Sequence, residues 1–117
     1  MQTAKALLDF RQLSDPNFEN KASYILACMK GNTNFPNPVP TLAELEAAIS
    51  NYAEALIAAK SRDSIKISIK SQQRQKLDKI LVKLSLYVNF VANGDRAIIV
   101  SSGYTASPEN SSVNAGM

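Results

Sequence analysis

Between Leu77 and Val91 the apolar residues Leu77, Leu81, Leu84, Val88 and Val91 recur at steps of four, three, four and three. Such steps put side chains on one stripe of an α-helix, because 3.6 residues complete a turn. Five bulky aliphatic residues in line cannot be left in water, so the chain must supply other helices to cover them. With 117 residues, 45% hydrophobic and 20% charged, it has the composition of one ordinary globular domain.

Two further segments carry the same periodicity. Ser14-Asp15-Pro16 is a helix start signal: a side-chain oxygen to accept orphan amides, then a proline where its missing N–H costs nothing. Phe18, Ala22, Ile25 and Met29 follow as a buried stripe, and Gly31-Asn32 ends the helix by taking the left-handed conformation. Phe35-Pro36-Asn37-Pro38-Val39-Pro40 lacks three backbone donors and is pushed out of the helical region, which predicts an extended crossover. Thr41-Leu42-Ala43-Glu44 then matches the capping box of a second helix, carrying Leu42, Leu45, Ile49, Tyr52 and Leu56. Its many alanines permit close helix approach.

The break at Ser61-Arg62-Asp63 has no glycine or proline, so a short turn is expected, with the next element antiparallel to helix two. Residues 64–70 (SIKISIK) admit two readings. Strict alternation of Ile65, Ile67 and Ile69 is a strand pattern, but no second strand is at hand to pair with it, so helix three is read from about 63 to 92. Asn93-Gly94 ends it, Asp95 caps a short fourth helix with Ile98, Ile99 and Val100, and Tyr104 packs back after Gly103. The fold class expected is all-α: a small antiparallel three- to four-helix bundle with a proline-rich crossover and a polar C-terminal tail. An irregular segment over 1–13 precedes the bundle domain, 14–104, and 105–117 reads as tail or linker.

Several function classes lose support at this level. Histidine is absent, which removes the commonest general base and metal ligand. Cys28 is the single cysteine, so neither a disulfide framework nor a thiolate metal cluster can form within one chain. Glu44 and Glu46 stand two apart on a helix and point in different directions. The glycines are isolated and build no phosphate loop. No cofactor and no metal is expected, and the chain does not read as an enzyme. The first thirteen residues lack the apolar run of a secretory signal, and no stretch is long and apolar enough to span a membrane. A cytoplasmic or virion-associated protein is therefore expected.

Two surfaces remain. The net charge of +3 is mild, but Arg62, Lys66, Lys70 and Arg74 are four apart and share one face if the segment is helical, where they would track phosphates. No aromatic residue is interleaved to stack bases, and the plainer reading is a solvated face balanced by helix-two acids such as Glu46 and Glu54. At the other end of helix three, Leu86, Tyr87 and Phe90 lie outside the main seam and, with Ile99 and Tyr104, form an apolar surplus fit to meet the crossover, the last helix or another chain.

The order of signals, Gly31-Asn32, Phe35-Pro36, Pro40, Thr41-Leu42-x-x-Leu45, Arg74-x-x-Leu77-x-x-x-Leu81, Tyr87-Val88, Gly94-Asp95 and Ser102-Gly103-Tyr104, resembles an amino-terminal helical module of uncharacterised bacterial and phage-related proteins. That module often precedes fibronectin type III-like domains. The resemblance covers about residues 14–104, implies no active site, and departs from the family arrangement in having no β-sandwich here. The expectation is a non-enzymatic interaction or assembly module, a structural component of a surface or virion assembly, with other subunits or itself as partner. The alternative is a small nucleic-acid-binding protein using the basic face of helix three.

Overall fold

A computed structural model describes residues 3–108 of the chain. They are mostly helical: α1 spans Asp15–Met29, α2 Leu42–Ala59, α3 Ser64–Ala92 and α4 Arg96–Ser101, and a 3-10 turn at Asp9–Gln12 precedes them. No strand occurs among the described residues, where a lone antiparallel bridge joins Ala6 to Ala106.

Local chemistry accounts for most of the boundaries. Thr41 Oγ1 accepts from the Glu44 amide at 3.1 Å while the Glu44 carboxylate accepts from the Thr41 amide at 3.2 Å, so the reciprocal capping box forms as the sequence predicts. Asp63 opens α3 by accepting from the Ile65 and Lys66 amides, and Asp95 opens α4 by accepting from those of Ala97 and Ile98. Asn93 and Gly94 both take positive φ and stop α3. Ser14 is different. It is the N-cap of α1, but its side chain accepts no capping hydrogen bond, and the proline falls at the second helical residue. The neighbouring carboxylate, Asp15, is also diverted from capping, for reasons given below.

Residues 64–70 are helical, which resolves the two readings of the SIKISIK run. A strand there would have left a full row of amides and carbonyls unpaired, whereas a helix satisfies them within the segment. The isoleucines are consequently scattered around a helix, with Ile65 70%, Ile67 40% and Ile69 42% exposed.

The core is the set of stripes named above. Phe18, Ala22, Ile25 and Met29 of α1, Leu45, Ile49 and Tyr52 of α2, and Leu77, Leu81, Leu84 and Val88 of α3 are buried. Val91 is only half-buried, and Ala92 occupies the last core position. Each seven-residue step on a straight helix falls about 20° short of two full turns, so by Val91 the predicted seam has rotated off the core and the next residue has come into line. Phe10 is fully buried and links the N-terminal turn to the core, its ring 6.1 Å from Phe18 and 6.2 Å from Tyr104; Phe18 continues the chain edge-on to Tyr52 at 5.6 Å.

The two ends of the described chain are tied together. Leu7 N–H donates to the Thr105 carbonyl and Ser107 N–H to the Lys5 carbonyl, both at 2.8 Å, and Ala6 N–H donates to Asn89 Oδ1 at 2.8 Å. Residues 105–107 are thus part of the folded body, where the sequence had placed the beginning of a tail. The remainder of that predicted tail, 109–117, lies outside the described residues.

Candidate functional site

The densest polar cluster is organised by Asp15, the first residue of α1. Its Oδ1 accepts from the Tyr52 hydroxyl at 2.8 Å and from Arg74 Nη1 at 2.7 Å, and its Oδ2 lies 2.9 Å from Lys70 Nζ. Arg74 Nη2 also donates to the Leu13 carbonyl at 2.8 Å and the Arg11 carbonyl at 3.2 Å, and the guanidinium carbon sits 4.2 Å from the Phe18 ring centroid. One carboxylate therefore joins α1, α2, α3 and the N-terminal turn. Burial pushes the Asp15 carboxyl upward, but hydrogen bonds from Lys70, Tyr52 and Arg74 outweigh it and hold the group at about 2. The same partial burial, and then the Asp15 charge, raise the Tyr52 hydroxyl.

This cluster reorganises the predicted basic face. Lys70 and Arg74 are only 27% and 24% exposed and both are bound to Asp15. The acids proposed to balance them, Glu46 and Glu54, are not their partners; Glu46 instead meets Lys30 at 3.8 Å. Arg62 is not on the helix at all. It sits in the turn before α3 with φ of 64°, and only Lys66 of the four remains an exposed helical cation. A continuous phosphate-tracking row is not what these residues form.

The apolar surplus divides as well. Phe90 is 85% and Leu86 65% exposed, one helical turn apart near the end of α3. Tyr87 is half-buried, its ring 5.9 Å from Phe35 and its hydroxyl accepting from the Asn37 amide at 3.2 Å, so it anchors the proline-rich segment. Ile99 and Tyr104 are corrected from surface to core: Ile99 is fully buried, and Tyr104, 2% exposed, donates its hydroxyl to the Leu81 carbonyl. Burial raises that hydroxyl well above its ordinary value. Both lie inside because α4 and the residues after it fold back over α3; the packing back of Tyr104 was expected from the sequence, whereas the burial of Ile99 is a tertiary placement that a six-residue helix gives no periodicity to foretell.

Cys28 is half-buried beside Gly103, and its interaction with the Tyr24 hydroxyl raises that hydroxyl above its ordinary value. Among the described residues no group of three or more His, Cys, Asp or Glu side chains is placed to hold a metal ion. No helix there is long and apolar enough to cross a membrane.

Sequence reasoning missed Asp15 as a hub, since an acid before a proline reads as a capping residue. It also missed the exposure of Ile57 on α2, which is 68% accessible. The exposure of the α3 isoleucines was available in principle: alternating residues on a helix point about 200° apart, so no single neighbour can cover them all. Set against family models, curated proteins and solved structures, the chain matches none of them.

Proposed function

We propose that this chain is a non-enzymatic assembly module, of the kind that serves as a structural component of a surface or virion, and that it self-associates through the last turns of α3. One observation carries the reading: Leu86 and Phe90, a single helical turn apart, leave 65% and 85% of their surfaces in water at the end of the helix whose opposite face is the core. Two large apolar side chains side by side on a helix are the seed of an isologous contact, in which the same patch meets its copy across a two-fold axis. The resemblance to a helical module that precedes other domains belongs to the same proposal.

The bundle reading supports it by leaving that face unoccupied within the chain. Lys30 at the end of α1 meets Glu46 near the start of α2, while Asp15 at the start of α1 meets Tyr52 far along α2. These two contacts support the reading of α1 and α2 as helices running in opposite directions, with Phe35–Pro40 as the crossover between them. Ile69 and Gln73 of α3 line one groove with Ala55 and Ala58 of α2, as a tight hairpin through residues 60–63 requires. The nucleic-acid reading keeps Arg62 and Lys66 but has to do without Lys70 and Arg74, which Asp15 engages.

Light scattering across a concentration series tests the proposal. A discrete oligomer is expected, and Phe90→Ser should lower the mass to that of one chain with the helical content unchanged. A monomer at every concentration, or an oligomer indifferent to that substitution, removes it.

A further inference from the structure

At the opposite end of the molecule the chain makes a second exposed surface that the assembly reading does not use. α1 begins at Asp15, level with Tyr52 of α2 and with Lys70 and Arg74 of α3. The last turns of α2 and the first turns of α3 therefore continue past the start of α1 as a two-helix arm. That arm contributes to the elongated shape, 56 × 32 × 17 Å.

The tip of the arm has an unusual surface. Ile57 is 68%, Ile65 70%, Ile69 42% and Ile67 40% exposed. Between Ile57 and Ile69 the charges are Lys60, Arg62 and Lys66 against Asp63, a balance of three minus one, or +2. Asp63 is occupied in accepting the Ile65 and Lys66 amides. Among the described residues none of the three cations forms an ion pair. Arg62 holds a left-handed backbone, φ 64°, which places this cation in the turn between α2 and α3.

We propose that this tip docks on an anionic lipid surface, inserting its isoleucines at the boundary between headgroups and acyl chains while Lys60, Arg62 and Lys66 meet the negative headgroups. Two features select this occupant. The isoleucines point in divergent directions around the tip, so a flat or grooved protein partner would cover some and leave others wet, whereas a fluid apolar phase surrounds them all. Lys60, Arg62 and Lys66 are interspersed with those isoleucines along the chain. Lys60 and Ile57 also share a groove with Asp15, Pro16 and Glu19 of α1, but Arg62 and Lys66 do not line it, and the net positive charge of the tip is complementary to an acidic leaflet. A second copy is disfavoured because two such tips repel. Nucleic acid is disfavoured because no aromatic residue stands between Ala53 and Leu86 to stack on a base.

Flotation of the full chain with vesicles tests this, using phosphatidylcholine alone and phosphatidylcholine mixed with phosphatidylglycerol. Binding is expected to the mixed vesicles only and should weaken as salt is raised. Lys60→Gln, Arg62→Gln and Lys66→Gln should each lower the partition coefficient about fivefold, and Ile57→Ser with Ile65→Ser about tenfold or more. All five positions are exposed, so circular dichroism should show unchanged folding. Phe90→Ser, which disrupts the proposed self-association, should leave vesicle binding in place apart from any loss of avidity, and this separates the two proposals. No flotation with the anionic vesicles at low salt overturns the inference, as does flotation that the tip variants leave intact. Binding to an acidic protein or to an oligonucleotide without vesicle binding likewise overturns it.

Discussion

At the level of single residues, two glycines differ in whether the space beside them would admit a side chain. Gly103 has φ of 91°, and a Cβ built there would lie 2.9 Å from the Ile25 Cα and 3.3 Å from the Cys28 Cβ. The nearest obstacle is main chain of α1 at the buried Ile25, which cannot rotate away. Gly31 has φ of 68° with nothing within 4 Å of the same position. Gly103→Ala is therefore expected to cost roughly 2–4 kcal/mol, a left-handed penalty plus a steric one, and Gly31→Ala only about 1 kcal/mol. Urea denaturation of the two variants gives the comparison, and equal costs would show that the close approach of Gly103 to α1 is not real.

Asp15 makes a prediction in pH. Its carboxyl is held at about 2 in the folded chain against an ordinary value of 3.8. Because the folded value is the lower one, the unfolded chain takes up the proton first on acidification. The contribution is complete above about pH 5 and declines as pH falls through 4 toward 2. With its partners about a quarter exposed, solvent screening reduces that contribution to about 1–2 kcal/mol. Asp15→Asn should remove a similar amount at neutral pH and flatten the fall of stability between pH 5 and 2, as followed by thermal melts. The sequence placed Asp15 in a cap; it could not show that Lys70 and Arg74 come within reach, because nothing local links position 15 to positions 70 and 74.

Among the elements, α3 is the one in which intrinsic preference and fold disagree. Its first turns carry β-branched residues at exposed positions, where a helix gains nothing from them and restricts their rotamers. Ile65→Ala and Ile67→Ala should leave stability unchanged or raise it by a few tenths of a kcal/mol each. Calorimetry decides this, and a loss above about 1 kcal/mol would mean that these isoleucines serve the bundle and not a surface. The lower half of the same helix was far more legible: Leu77, Leu81, Leu84 and Val88 announced a buried seam and are all fully buried. Only its end was misjudged, at Val91, where a repeat of seven and a turn of 3.6 part company.

Across the whole molecule, the radius of gyration is 16.1 Å, whereas a compact chain of this length would have about 13 Å. The excess reflects a 29-residue α3 beside an 18-residue α2 and a 15-residue α1. The two termini of the described chain are joined through the Ala6–Ala106 bridge, with Asn89 Oδ1 holding the Ala6 amide. Asn89→Ala is expected to speed hydrogen exchange at Ala6, Leu7 and Ser107 together, by about tenfold, while the amides of Leu81 and Leu84 keep their protection. Exchange that changes at Ala6 alone would show that the two terminal segments are not one unit. What the sequence determined by itself was everything written in nearest neighbours and in period: the Thr41 capping box, the stop at Asn93-Gly94, the three apolar stripes and hence an all-helical chain. What only the tertiary structure decided was which polar and apolar side chains remain in water. Ile99 went inside, Leu86 and Phe90 stayed out, and Lys70 and Arg74 found Asp15, because exposure depends on which helices lie alongside one another, and that is set by contacts between residues far apart in the chain.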